Sequence, residues 1–99
     1  MEVAVSELKR SVEDQHGGTA TLAQSVPIKE TVDGKTVWEG TVSVFDLTGN
    51  PKATRAYAWS SPVEGSPKRR FFAVLHLGAI TGPVEAVRAA IVAERRGRS

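Results

Sequence analysis

The sequence predicts an α+β fold: an antiparallel sheet of three to four strands with a C-terminal helix packed on it, αβββα-like once an N-terminal helix is counted. Three observations carry this. Residues 82–96 hold an apolar stripe at helical spacing. Residues 19–79 hold β-branched and aromatic runs punctuated by Gly, Pro and Asn. Asp33-Gly34 joins two of those runs as a tight two-residue turn. With 99 residues, 40% of them hydrophobic, the chain reads as one domain with a core of its own. It is too apolar and too nearly neutral for a disordered segment.

Residues 4–16 place Val5, Leu8 and Val12 on one helical face, and Gly17-Gly18 ends the element. Against this helix stand Glu13 and Asp14, anions at the end where the macrodipole disfavours them, so a frayed segment is the alternative. The first hairpin arm runs over Thr19–Val32, and Pro27 makes it an edge strand or breaks it. The second arm, Thr36–Leu47, sets Trp38, Gly40, Val42 and Val44 on one face, with Glu39, Thr41, Ser43 and Phe45 on the other. A turn over Thr48–Lys52 leads to a third strand, Thr54–Ser60, alternating Arg55, Tyr57 and Trp59 against Ala56 and Ala58. After the loop Ser61–Pro67 comes a fourth strand, Arg70–Leu77, with Phe71, Ala73, Leu75 and Leu77 on an apolar face.

The closing helix opens at Thr81-Gly82-Pro83, where proline suits the first helical position and Glu85 suits the first turn. Its stripe is Val84, Val87, Ile91 and Val92; Arg95 and Arg96 suit the last turn and Gly97 ends it. The stripe is expected to bury the Phe71/Ala73/Leu75/Leu77 face, with Val42 and Val44 alongside and Ala56 and Ala58 allowing close approach. Both helices would then lie on one side of the sheet.

Composition narrows the function classes. The chain has no cysteine, so it has no disulfide framework, thiolate metal site or thiol nucleophile, which fits a reducing, cytoplasmic setting. Met1–Glu7 shows no signal-peptide pattern, and the apolar runs at 71–75 and 89–93 are too short to span a bilayer. No membrane partner is expected. Charge is polarised: residues 1–46 sum to −4 and residues 47–99 to +6, a balance that steers anionic partners or simply reflects solvated clusters.

No catalytic, cofactor or metal motif stands out. His16 and His76 lack the spacing of a metal site, and His76 sits between Leu75 and Leu77. Ser43 or Ser60 with His76 and Asp46 lacks any nucleophile-elbow or oxyanion signature. Gly17-Gly18 and Asp33-Gly34 are turn glycines rather than phosphate loops.

The sheet face turned away from the closing helix would carry Tyr57, Trp59, Phe72 and His76, with Arg55 and Phe45. Such a surface is covered by the N-terminal segment, pairs with another copy, or stacks a flat ligand or unstacked bases. The basic runs Lys68-Arg69-Arg70 and Arg95-Arg96-Arg98 either contact phosphates or serve solubility.

Gly34–Gly40, Val44–Leu47, Gly49–Ala53 and Arg55–Trp59 together resemble a family of short uncharacterised bacterial proteins, over about residues 26–94. That resemblance implies a bacterial, cytoplasmic origin and transfers no functional residue. The element order also resembles a double-stranded-RNA-binding domain, whose last helix opens with a lysine cluster. Here that position reads Thr81-Gly82-Pro83-Val84-Glu85, which departs from the pattern.

The leading expectation is therefore a non-enzymatic protein-interaction module. It would self-associate or bind a protein through the aromatic face, or use an edge strand, with Tyr57, Trp59 and Phe72 as anchors. The alternative is weak nucleic-acid binding, with Arg55, Lys68, Arg69, Arg70 and Arg95 on phosphates and Tyr57 or Trp59 stacking. No cofactor is expected.

Overall fold

The computed structural model describes residues 5–63 and 65–96. The elements run α1 (Val5–His16), β1 (Thr19–Val32), β2 (Lys35–Thr48), β3 (Arg55–Pro62), β4 (Arg69–Leu75) and α2 (Pro83–Arg96). The strands form an antiparallel sheet in the order β1-β2-β3-β4, so the fold is α+β with a helix at each end. The side chains of Arg95 and Arg96, and residues 97 and 98 altogether, lie outside the described residues.

The N-terminal helix is formed despite its acidic end, and the structure shows why. Glu13 accepts a hydrogen bond from Lys9 Nζ at 2.8 Å and another from the Ala20 backbone N–H at 2.8 Å. The carboxylate thus finds a cation one turn back and a donor at the start of β1, which together outweigh the unfavourable dipole. Lys9 first, then the Ala20 N–H, hold its pKa below the ordinary carboxylate value. Gly17, with φ +83°, then closes the helix by donating its N–H to the Glu13 carbonyl at 2.9 Å.

The hairpin turns at Asp33-Gly34, both at positive φ, as a two-residue turn requires. β1 is an unbroken edge strand, and register explains how it tolerates Pro27. Leu47 N–H donates to the Thr54 carbonyl, which makes Asp46/Arg55 a widely spaced pair and Ser43/Ala58 a hydrogen-bonded one. Ser43 therefore turns its backbone groups toward β3, and so does Thr41 two residues on. Pro27, opposite Thr41, faces outward, where a missing N–H costs no ladder bond. A register shift between Leu22 and Gln24 further distorts this edge.

The two helices lie on opposite faces of the sheet, which corrects the expectation that they share one. Cross-strand partners share a face, and here Val44 opposes Tyr57 whereas Phe45 opposes Ala56. One face gathers Phe45, Leu47, Ala56, Ala58 and Leu75 beneath Leu8 and Val12 of α1. The other gathers Val42, Val44, Tyr57 and Trp59 beneath Ala86 and Val87 of α2. Alternation within each strand and the faces shared by β3 and β4 are as the sequence suggests, but the join of faces between β2 and β3 is exchanged. The alanine face accepts the short N-terminal helix, and the aromatic face is covered by α2.

Two smaller corrections follow. The α2 stripe runs through Val84, Val87, Ala90 and Ile91, whereas Val92 is 48% exposed. β4 ends at Leu75, so Leu77 is exposed in the following turn, where its carbonyl accepts from Ile80 N–H. No helix among the described residues is long and apolar enough to cross a membrane.

Candidate functional site

The residues singled out from sequence fall into two separate groups. Arg55 and Tyr57 stand at the start of β3. Trp59, Phe72, Lys68, Arg69 and Arg70 stand at the far end of the β3–β4 hairpin.

The first group is mostly structural. Tyr57 is 1% exposed, buried beneath α2, so it cannot be the surface anchor expected of it. Its hydroxyl lies 2.6 Å from His76 Nδ1. Burial pushes the hydroxyl pKa above the ordinary tyrosine value; the nearby Arg55 pulls it down, and Glu85 adds a smaller upward push. Arg55 is exposed and pairs with Asp46 at 3.6 Å. A shallow depression of ≈ 390 Å³ between Asp46, Leu47, Thr54, Arg55 and His76 opens beside them. Neither serine weighed with His76 borders it: Ser43 lies on the opposite sheet face from Tyr57, and Ser60 Oγ is engaged by Arg69.

The second group borders the main cleft. β2 and β3 pair only from Ser43/Ala58 to Asp46/Arg55. Beyond that point the β1–β2 hairpin and the β3–β4 hairpin diverge, leaving a slot of ≈ 900 Å³. The slot opens toward both sheet faces. Val5 and Leu8 of α1 border it on one side, and Val87, Ala90 and Ile91 of α2 on the other. A volume of this size is at the upper end of small-molecule sites.

An aromatic row crosses the slot. Trp38 on β2 meets Trp59 on β3 edge-on, with centroids 6.2 Å apart. Trp59 stacks on Phe72 of β4 at 5.2 Å and 8°, and Arg70 lies over Phe72 at 5.0 Å. Trp59 is 2% exposed, so the expected exposed anchor is again core. Phe72 is half-buried, and Trp38, also half-buried, is the indole that lines the slot across from β3.

Trp38 is held on three sides. Its Nε1–H donates to Ser61 Oγ at 2.9 Å, bridging the two hairpins where their backbones no longer pair. Trp59 meets the indole in an edge-to-face arrangement at 61°. The six-membered ring lies against Gly40, where a Cβ would fall 2.8 Å from Cζ2 and 3.0 Å from Cη2. Only glycine at 40 lets the indole lie down on its own strand.

The β3 wall is polar. His76 N–H donates to the Arg55 carbonyl, which makes Ala56/Leu75 a widely spaced pair. Alternation along the unbroken register then turns the backbone of Ser60 away from β4 and into the slot. Its carbonyl accepts from Arg69 Nη2 at 3.2 Å, and its Oγ accepts from Arg69 Nε at 2.8 Å. Arg69 is thus a fixed guanidinium in the slot wall. Lys68 is exposed beside it.

Ser43 forms part of the floor. It is 3% exposed as a residue. Thr41 and Glu39 continue the same wall along β2.

Sequence reasoning missed Trp38, Gly40 and Thr41 as site residues and weighed Ser43 only as a nucleophile. A glycine inside an otherwise β-branched strand, two residues after a tryptophan on the same face, was the available signal of close approach. Nothing in the sequence announces that β2 and β3 part company after Ser43. The chain matches no family model, no curated protein and no solved structure.

Proposed function

We propose that this protein is a non-enzymatic binding module whose ligand enters the slot between its two hairpins. The observation that carries the reading is the slot itself: a ≈ 900 Å³ opening where the β2–β3 ladder stops at Ser43, lined by the Trp38 indole and Arg69. The backbones of Thr41 and Ser60 support this reading. Both face the gap where the β2–β3 ladder has stopped.

This reading replaces association through the aromatic face, because Tyr57 and Trp59 lie under α2. Both sheet edges are also poorly suited to pairing. β1 presents Pro27 and a register shift. On β4, His16 Nε2–H donates to the Ala73 carbonyl at 2.8 Å. That carbonyl points away from β3 by the alternation above, so the histidine occupies an edge acceptor that an incoming strand would need.

Two tryptophans give two indole N–H signals, one at the slot wall and one in the core beside it. Titrating isotope-labelled protein with millimolar indole, glucose and adenosine should move the Trp38 indole signal and the Ser43 and Thr41 amides for at least one compound. Ser43→Leu, which fills the floor, should abolish the shifts while the rest of the spectrum keeps its dispersion. Unmoved slot signals with all three compounds would remove the reading.

A further inference from the structure

We infer that the slot is built for a nucleobase bearing a phosphate, either a free nucleotide or one unit of single-stranded nucleic acid; this rests on the slot being a binding site. Such a ligand would pass through the slot, meeting the Trp38 indole on the α2 side of the sheet and Thr41, Ser43 and Arg69 on the α1 side. The base is a flat π surface, and Trp38 offers a rigid indole, clamped by Gly40, Trp59 and the bond to Ser61. Base–aromatic stacking is worth about 1–3 kcal/mol per base and tolerates any base. Because the indole is already immobilised, stacking on it costs little further order.

The polar edge of the base also finds partners. Glu39 borders the slot two residues from Thr41 on the same side of the strand. A carboxylate accepts from the exocyclic amine of cytosine or adenine, and the hydroxyls of Thr41 and Ser43 both donate and accept.

The phosphate has one clear station. Arg69 has five N–H donors, of which Ser60 Oγ and Ser60 O take two. The remaining three lie on the Nη atoms of a guanidinium that cannot swing away. A fixed fork is the geometry that suits a phosphate oxygen pair. Lys68, exposed and next in sequence, adds charge at the mouth. A sugar without phosphate would use the indole and the hydroxyls but leave Arg69 idle. A simple anion would use Arg69 and leave the indole idle. The nucleotide is the class that uses both.

The test is titration of the labelled full-length chain with adenosine 5′-monophosphate, adenosine, ribose 5-phosphate and a single-stranded eight-nucleotide DNA, read on the Trp38 indole and the slot amides. The monophosphate should saturate the Trp38 shift and bind about tenfold tighter than adenosine, which loses the charge-assisted contact, or ribose 5-phosphate, which loses the stacking. Arg69→Gln should remove the monophosphate's advantage, so that it and adenosine bind the variant equally. Because Arg69 also ties Ser60, Arg69→Lys is the companion variant, keeping charge and losing the fork; it should fall between the two.

A DNA affinity that exceeds the monophosphate's and falls steeply with salt assigns the strand as source. A DNA affinity no better assigns the free nucleotide. Equal binding of adenosine and its monophosphate, or an unchanged monophosphate affinity in Arg69→Gln, overturns the proposal. If indole or glucose moves the slot signals and the monophosphate does not, the ligand class is wrong and the slot reading stands. If none of them does, both fall.

Discussion

Gly40→Ala is the most informative single change, because it tests how Trp38 is held without touching Trp38. An alanine Cβ would stand 2.8 Å from Trp38 Cζ2, 3.0 Å from Cη2 and 3.4 Å from Cε2. These atoms belong to one rigid ring, so the indole must tilt or lift as a unit. Doing so breaks the Nε1–Ser61 bond, worth about 0.5–1.5 kcal/mol, with a hydroxyl acceptor left behind. It also opens the edge contact with Trp59, worth about another 0.5–1.5 kcal/mol. Against this, alanine in a strand loses less backbone entropy than glycine, a gain of about 0.5–1 kcal/mol. The net expectation is a loss of about 1–2 kcal/mol. Urea unfolding followed by far-ultraviolet circular dichroism measures it, and the near-ultraviolet signal of the tryptophan pair should weaken. In a Trp38→Leu background the same Gly40→Ala change has no ring to displace, so its sign should reverse to neutral or mildly stabilising. An equal penalty in both backgrounds would show that the indole is not what requires glycine at 40.

Three further outcomes are expected. Gly18 has φ +82°, and a Cβ there would meet the Thr48 carbonyl at 2.8 Å, whereas Gly17, at φ +83°, has open space around it. Gly17→Ala should therefore cost only backbone strain, about 1 kcal/mol, and Gly18→Ala distinctly more; equal costs by denaturant unfolding would deny the Thr48 contact. Glu13 has its pKa lowered from the ordinary 4.5 on folding, chiefly by Lys9 and then by the Ala20 N–H. The unfolded chain thus binds the proton more readily, so the contribution is complete above pH 4.5 and is lost as pH falls through the lowered folded value. Glu13→Gln should flatten that acid limb of a stability–pH curve. Tyr57 behaves oppositely: its folded pKa is raised above the ordinary 10.0, so stability is lost as pH rises from 10 through the folded value. Tyr57→Phe should remove that alkaline loss, while costing about 1 kcal/mol at neutral pH for the hydrogen bond with His76.

Local signals in the sequence were faithful, and the long-range ones were not. Asp33-Gly34, Gly17 and Pro83 mark their turn, cap and helix start because each imposes a backbone angle by itself. The alternation of Trp38, Val42 and Val44 against Ser43 and Phe45 survives for the same reason, since it is set by the pleat. What alternation cannot say is which face of β2 continues onto which face of β3. That depends on register, and a slip of one residue exchanges the faces. The sequence reading joined Val44 to the alanine face, whereas the structure sets Val44 opposite Tyr57. The whole misplacement of the aromatic surface follows from that single join. It moved Tyr57 and Trp59 from the core to the outside and put both helices on one side. The slot was illegible for a related reason: a ladder that stops after Ser43 is a property of two strands, and neither strand's residues encode it alone.

That interrupted ladder is also the feature hardest to explain by stability. Nothing about Thr41 or Val42 forbids pairing with β3, since neither is a proline and both have good strand propensity. Closing the gap would give the Thr41 backbone and the Ser60 N–H strand partners. Instead, two arrangements hold the hairpins apart at a fixed width. Trp38 reaches across to Ser61 as a strut, on a glycine that exists to let it lie flat. Arg69 folds back to occupy the Ser60 carbonyl that a β2 partner would otherwise take. Elsewhere the same chain defends its backbone carefully, with Pro27 on one edge and His16 on the other. A protein that guards its outer edges and props open an inner one concentrates its unmet hydrogen-bonding capacity at one place. The indole and the guanidinium that do the propping are the same two groups that a nucleotide would contact, so the structure of the opening and its ligand chemistry share one set of residues.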